Sequence, residues 1–201
     1  MAADSQGNDI TAVGIPISGS VGIAPMTAEL LTPAEGKVYD LVLDALFRKL
    51  GLFTEDGGHT WTLEPDGDPI VFYQDGYSIP SGLANATLVV KLAQYDALAQ
   101  ELLSGQVPDE NGYITIDAAG HSTEYRLFSE EIFKNGVIRR RQAGKATISG
   151  VAVDQSTRGE VNGVEVTFKI ERTPELGNKH LGEWLIKPGT GVAQGAGSTG
   201  S

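Results

Sequence analysis

"EEIFKNGVIRRR", residues 130–141, sets an Asn-Gly pair between two short apolar runs and ends on three consecutive arginines. Asn-Gly in that position supplies the two positive-φ residues of a type I′ turn, so the stretch reads as a β-hairpin. With a two-residue loop, Lys134 opposes Val137. The register then sets Phe133 against Ile138, Ile132 against Arg139, Glu131 against Arg140 and Glu130 against Arg141. Two Glu/Arg pairs cross the ribbon, each contributing ~0.2–1 kcal/mol. Alternation puts Arg140 on one face and Arg139 and Arg141 on the other. The three cannot form one basic patch within the ribbon, and the pattern favours local pairing or a subunit contact over a grip on nucleic acid.

Two further Asn-Gly pairs, Asn111-Gly112 in "DENGYITID" and Asn162-Gly163 in "EVNGVEVTFKI", extend the hairpin reading to the whole second half. Segments 59–64, 69–79, 83–92, 122–128, 145–153 and 163–170 are rich in β-branched or aromatic residues and largely alternate, with turn signals such as "PDGDP" and "IPSG" between them. In "VEVTFKI" Val164, Val166, Phe168 and Ile170 share one face while Glu165, Thr167 and Lys169 share the other. One face is buried and the other wet.

Two helices interrupt the strands. "QYDALAQELLSG" (94–105) puts Tyr95, Leu98, Leu102 and Leu103 on one stripe, with Gly105 placed to end it. "TPAEGKVYDLVLDALFRKLG" (32–51) opens with Thr32, Pro33 and Glu35 as a capping box with proline at the first helical position. "KVYDLVLDAL" also nearly alternates, so the helical expectation rests on 43–50. Residues 1–22 and 187–201 are Gly- and Ser-rich and read as flexible arms flanking one domain over 23–186. The fold class is mainly β: an antiparallel sandwich or barrel-forming sheet with one flanking α-helix and a short second helix.

The chain has 201 residues, no cysteine and a formal net charge of -11. Without cysteine, disulfides and thiolate chemistry are excluded. No basic-then-apolar leader or membrane-length apolar run is present, so we expect a protein made and folded in the cytoplasm, with no membrane partner. Acids outnumber bases 13 to 4 in residues 1–100 and 13 to 11 in 101–201, so the nets are -9 and -2. Such a field repels phosphate, unless acidity serves only solubility.

Catalytic signals are thin. "GAGSTG" (195–200) has no strand before it and no room for a helix after it. His59, His121 and His180 are far apart, and no serine sits in a nucleophile elbow. Glu64, Asp66 and Asp68 in "LEPDGDP" read as turn chemistry or a charged rim, with a cation site or a carboxylate pair as the chemical alternative. Trp61 and Trp184 read as core or interface anchors. No cofactor is expected.

"KLGLFTEDGGHTWTLEPDGDPIVFYQDGYSIPSGLAN", "TEYRLFSEEIFKNGVIRRRQAGKATI", "RGEVNGVEVTFKI" and "HLGEWLI", in that order across most of residues 45–186, together resemble the major tail proteins of long noncontractile-tailed phages, particularly those infecting actinobacteria. The resemblance implies a tail tube subunit without catalytic residues, forming hexameric rings that stack into a hollow tube for genome passage. Its partners would be further copies of itself, the tape-measure protein, and tail-terminator and tip proteins. DNA would meet it only in transit. Asp66, Asp68 and Asp75 are candidates for an acidic lumen. Glu130, Glu131, Arg139, Arg140 and Arg141 are candidates for a ribbon in the ring wall, and the arms and residues 52–82 for ring-to-ring contacts. Rivals are a soluble β-sandwich binding carbohydrate or a receptor, a carboxylate hydrolase using residues 64–68, and the related tube of type VI secretion.

Overall fold

A computed structural model describes residues 5–55 and 58–189. Strand β1 (Pro16–Pro25) is followed by a one-turn helix α1 (Pro33–Gly36), β2 (Arg48–Lys49), β3 (His59–Asp66), β4 (Ile70–Val71), β5 (Ser78–Ile79) and β6 (Leu83–Leu92). Helix α2 (Ala97–Ser104), β7 (Glu124–Phe133), β8 (Ile138–Val153), β9 (Val164–Glu171) and β10 (Gly182–Ile186) complete the order. The fold is mainly β. One antiparallel sheet runs β2-β1-β7-β8-β9-β6-β3, with β10 also on β8, while among the described residues β4 and β5 pair only with each other. At 16 residues, β8 is long enough to carry β10 on Ile138–Gln142 and β9 from Lys145 onward along one edge.

The sheet bends over its own core. Ile23, Leu88, Val90, Leu127, Val166 and Phe168 are fully buried, and Leu102 of α2 plugs the same cluster. β9 follows its alternation, with Val164, Val166, Phe168 and Ile170 inside and Glu165 and Lys169 out. Bending brings the sheet's two ends together at one point: His59 of β3 lies against Gly19 of β1, where a Cβ would stand 3.0 Å from the imidazole Cε1. Helix α2 is capped as its sequence dictates, with the Asp96 carboxylate accepting from Leu98 and Ala99 N–H groups and Gly105 closing at φ 71°. Tyr95 stays outside the buried stripe, 54% exposed.

Several expectations are corrected by tertiary context. Residues 43–50 are not helical: the Asp44 side chain caps a single turn through Leu46 N–H, and Arg48 and Lys49 pair with Ile23 and Gly22 as β2. Arg48 then reaches α2, gripping Glu101 at 2.6 and 2.8 Å. The capping box of Thr32 and Glu35 does form, but closes only α1. The N-terminal arm is shorter than residues 1–22, because β1 begins at Pro16 and pairs along β7. Asn111-Gly112 makes a turn without flanking strands, and Asn162-Gly163 leads into β9 at the end of a longer loop. Residues 69–79 form a small hairpin with Gly76 at φ 82°, not one strand. Positions 190–201, including "GAGSTG", lie outside the described residues.

Residues 26–47 form a strap over the outer face of β7, β8 and β10, held mainly through its own backbone. On that face Glu130, Arg140 and Trp184 stand in one cross-strand row. The Arg140 guanidinium, 2% exposed, binds Glu130 at 2.6 Å and donates to the carbonyls of Gly36 (3.0 Å), Val38 and Tyr39 (2.8 Å). Gln142 exchanges two hydrogen bonds with the Leu31 backbone, Arg126 donates to Met26 O, and Trp184 Nε1 to Pro33 O. Gly36 is required beneath the Trp184 ring, which a Cβ there would overlap. A buried charge pair broken on one side leaves the other uncompensated, so Arg140→Ala is expected to destabilise the fold by about 3–5 kcal/mol. Urea unfolding checks this. A loss under ~1 kcal/mol contradicts the clamp.

Candidate subunit interface

The hairpin that carries the arginines turns through three residues instead of two. Phe133 N–H bonds to Val137 O (2.9 Å) and Gly136 N–H to Phe133 O (2.8 Å), and Gly136 alone in the loop has positive φ, at 78°. In a three-residue loop closed by a positive-φ glycine Asn135 keeps negative φ, and its side chain is bonded elsewhere. Its amide donates to the carbonyls of Thr11 and Val13 and accepts from Val137 N–H, stapling the incoming chain to the hairpin tip. The extra loop residue shifts the register by one, pairing Glu131 with Arg139, Glu130 with Arg140 and Ser129 with Arg141. The division of faces stands, but the partners change.

Arg140 faces the strap, while Arg139 and Arg141 face the mouth of the bent sheet. Arg139 Nε meets Glu131 Oε2 at 2.5 Å and its guanidinium lies 5.2 Å from the Phe133 ring centroid. Arg141 Nε meets Glu183 Oε2 of β10 at 2.5 Å, with the guanidinium 5.5 Å from the Trp61 ring. All three arginines are therefore neutralised locally. Glu183 was not foreseen, because its position beside Arg141 follows from β10 joining β8 across more than forty residues of chain.

His59 stands at the seam where the sheet's ends meet. Its side chain is 6% exposed, and Nε2 lies 3.4 Å from Glu131 Oε1 without making a hydrogen bond. Burial pushes the imidazole below the usual histidine value; Glu131 pulls it back up, and Arg139 and Arg141 add to the depression. His121 instead bonds Leu102 O at the end of α2, and His180 lines a cavity together with Arg172. Among the described residues no three His, Asp or Glu side chains gather as a metal set.

Asp66, Asp68 and Asp75 lie on a ribbon formed where β3 and β6 run past the core. Positions 63–80 are exposed throughout. The β4–β5 hairpin at its end shows Val71 (73% exposed), Tyr73 (101%) and Tyr77 (68%). Between Gly51 and Val90 there are six acids and no Lys or Arg. The ribbon is thus both acidic and apolar at its surface. Of Glu64, Asp66 and Asp68, Glu64 alone lines a cavity of about 430 Å³ between the ribbon and residues 172–180, together with Leu63, Pro65, Pro80, Leu83, Arg172 and His180.

Near its two ends the sheet leaves backbone of β1 and β3 unpaired among the described residues. β1 pairs outward only at Gly22 and Ile23, and through Leu50 N–H at Val21 O, leaving positions 17–20 open. β3 pairs with β6 on one side and with nothing described on the other. Neither carries the Lys that commonly guards an edge. Among the described residues no helix is long and apolar enough to cross a membrane. A scan against protein families and a search of curated proteins both find no match to this chain.

Because the folded chain holds His59 below 6.5, the unfolded chain takes the proton first. The His59 contribution is then complete above that value and is lost as pH falls below it. Urea midpoints are expected to drop as pH falls from 6.5, and His59→Gln to flatten that slope. A variant with the wild-type slope contradicts the assignment.

Proposed function

We propose that this chain is a self-assembling structural subunit that joins copies of itself into rings and stacks them into a hollow tube of the noncontractile phage-tail kind, with DNA as passing cargo. The observation that carries the reading is the pair of edges left without strand partners on one antiparallel sheet, 17–20 of β1 and 59–64 of β3, which touch each other through His59 on Gly19. Two different edges make a heterologous contact, which propagates from copy to copy until a ring closes. Closure also removes the aggregation liability of each edge. The projecting ribbon supports contacts along the tube axis, since its apolar tip has no partner within the described chain. Surplus acid with every hairpin arginine already paired suits a conduit, because each free cation near DNA adds affinity. The assembly would belong to a virion tail put together in the host cytoplasm, with tape-measure, terminator and tip proteins setting length and ends.

A binding module is the second reading, favoured by the fully exposed Tyr73 beside Phe72 and Tyr77. The two separate by oligomeric state. Light scattering and negative-stain electron microscopy over a range of concentrations are expected to show rings or tubes with a central hole. Ile17→Lys and Leu63→Lys, both on exposed side chains of the open edges, are expected to abolish them with unfolding midpoints unchanged. A monomer at every concentration, with ligand affinity lost on Tyr73→Ala, supports the binding module instead.

A further inference from the structure

The three Asn-Gly dipeptides place one reaction in three settings. The backbone nitrogen of such a glycine, once deprotonated, attacks the carboxamide carbon of the preceding asparagine and expels ammonia. Water then opens the resulting cyclic imide at either carbonyl, leaving aspartate or isoaspartate. Glycine offers no Cβ to obstruct the attack. What remains decisive is whether the asparagine side chain is free to turn onto the next nitrogen, and whether that N–H is free to lose its proton.

At Asn135 neither holds. The side chain is tied by three hydrogen bonds, to Thr11 O, Val13 O and Val137 N, and Gly136 N–H is bonded to Phe133 O at 2.8 Å inside the hairpin tip. At Asn162 the amide donates to Ser156 Oγ at 3.0 Å, and the buried Gly163 N–H points at the Asp154 carboxylate, 3.2 Å away. A carboxylate there opposes loss of that proton. Asn111 differs on the first count. Its side chain is exposed, its one side-chain contact is a 3.4 Å approach to Asp109 Oδ2, and open space surrounds Gly112. Gly112 N–H reaches Asp109 O at 3.0 Å, in a turn that stands in a stretch without helix or strand from 106 to 123.

We infer that Asn111 is a spontaneous deamidation site of the folded chain, while Asn135 and Asn162 are protected by their hydrogen bonds. Asp109 acts as the brake. Its carboxylate accepts the N–H groups of Asn111 (2.9 Å) and Tyr113 (2.8 Å), and these bonds, led by Tyr113, hold it below the usual carboxylate range. They fix the backbone around the reacting pair. Reaction at Asn111 sets a second carboxylate beside Asp109 in a stretch that already holds three acids and no Lys or Arg. Repulsion and, for isoaspartate, an added backbone atom then loosen the loop whose Ile116 lies across a cavity from Ile148 and Val151.

The test is timed incubation of the full-length protein in mildly alkaline buffer, followed by proteolysis and mass spectrometry of the three Asn-Gly peptides. The expected result is the mass gain of amide-to-acid exchange, split between aspartate and isoaspartate, in the Asn111 peptide. The other two are expected to lag by at least about tenfold, since each must open locally before reacting. In denaturant the three rates are expected to converge. Asp109→Ala is expected to speed the reaction at Asn111 and leave the other sites unchanged. Equal rates in the folded protein, an earlier reaction at Asn135 or Asn162, or a folded-state Asn111 as slow as they are would overturn the inference.

Discussion

The structure depends on one buried guanidinium. Arg140 sits near the start of β8 with its charge matched by Glu130 and its remaining donors on the carbonyls of Gly36, Val38 and Tyr39. A buried arginine left short of partners is costly, and here the cost is met by recruiting backbone that has no ladder of its own. The strap in turn covers the polar face of β7, β8 and β10 without needing regular structure. That is why twenty-two residues with only Ala28 and Gly36 fully buried still hold one course.

The consequences reach the opposite face. Because Arg140 is committed outward, Arg139 and Arg141 must face the mouth of the bent sheet, where Glu131 and Glu183 neutralise them and Phe133 and Trp61 take their planar faces. The protein thus spends its most basic stretch on internal contacts and leaves a ribbon without Lys or Arg to project from the core. Open edges, an acidic ribbon and an acid-rich surface are a poor design for a solitary domain. They are what the proposed assembly of copies would use.

Much of the fold was legible because it is local. Val164, Val166, Phe168 and Ile170 announce a buried face, Asp96 and Gly105 bracket α2, and Thr32 with Glu35 announces a capping box. What escaped was set by distant partners. Residues 43–50 carry helical spacing, yet Arg48 is claimed by Glu101 and by β1. Asn135 looked like a positive-φ turn residue, but its side chain is drawn to Thr11 and Val13, more than a hundred residues away, and the register moved by one. Of the candidate site, the division of the three arginines between faces followed from period-two alternation alone. The partner of Arg141 did not, since nothing near it in sequence reveals β10. Asp66, Asp68 and Asp75 share the ribbon, an arrangement that came from where β3 and β6 outrun the core.

The claim that these edges exist to receive another copy is tested most directly by amide hydrogen exchange at low and high protein concentration. The account requires protection to rise selectively at positions 17–20 and 59–64 as concentration increases, with the β9 and β6 interior already protected at both. Unchanged exchange at both edges, in a sample shown by scattering to have assembled, would contradict it.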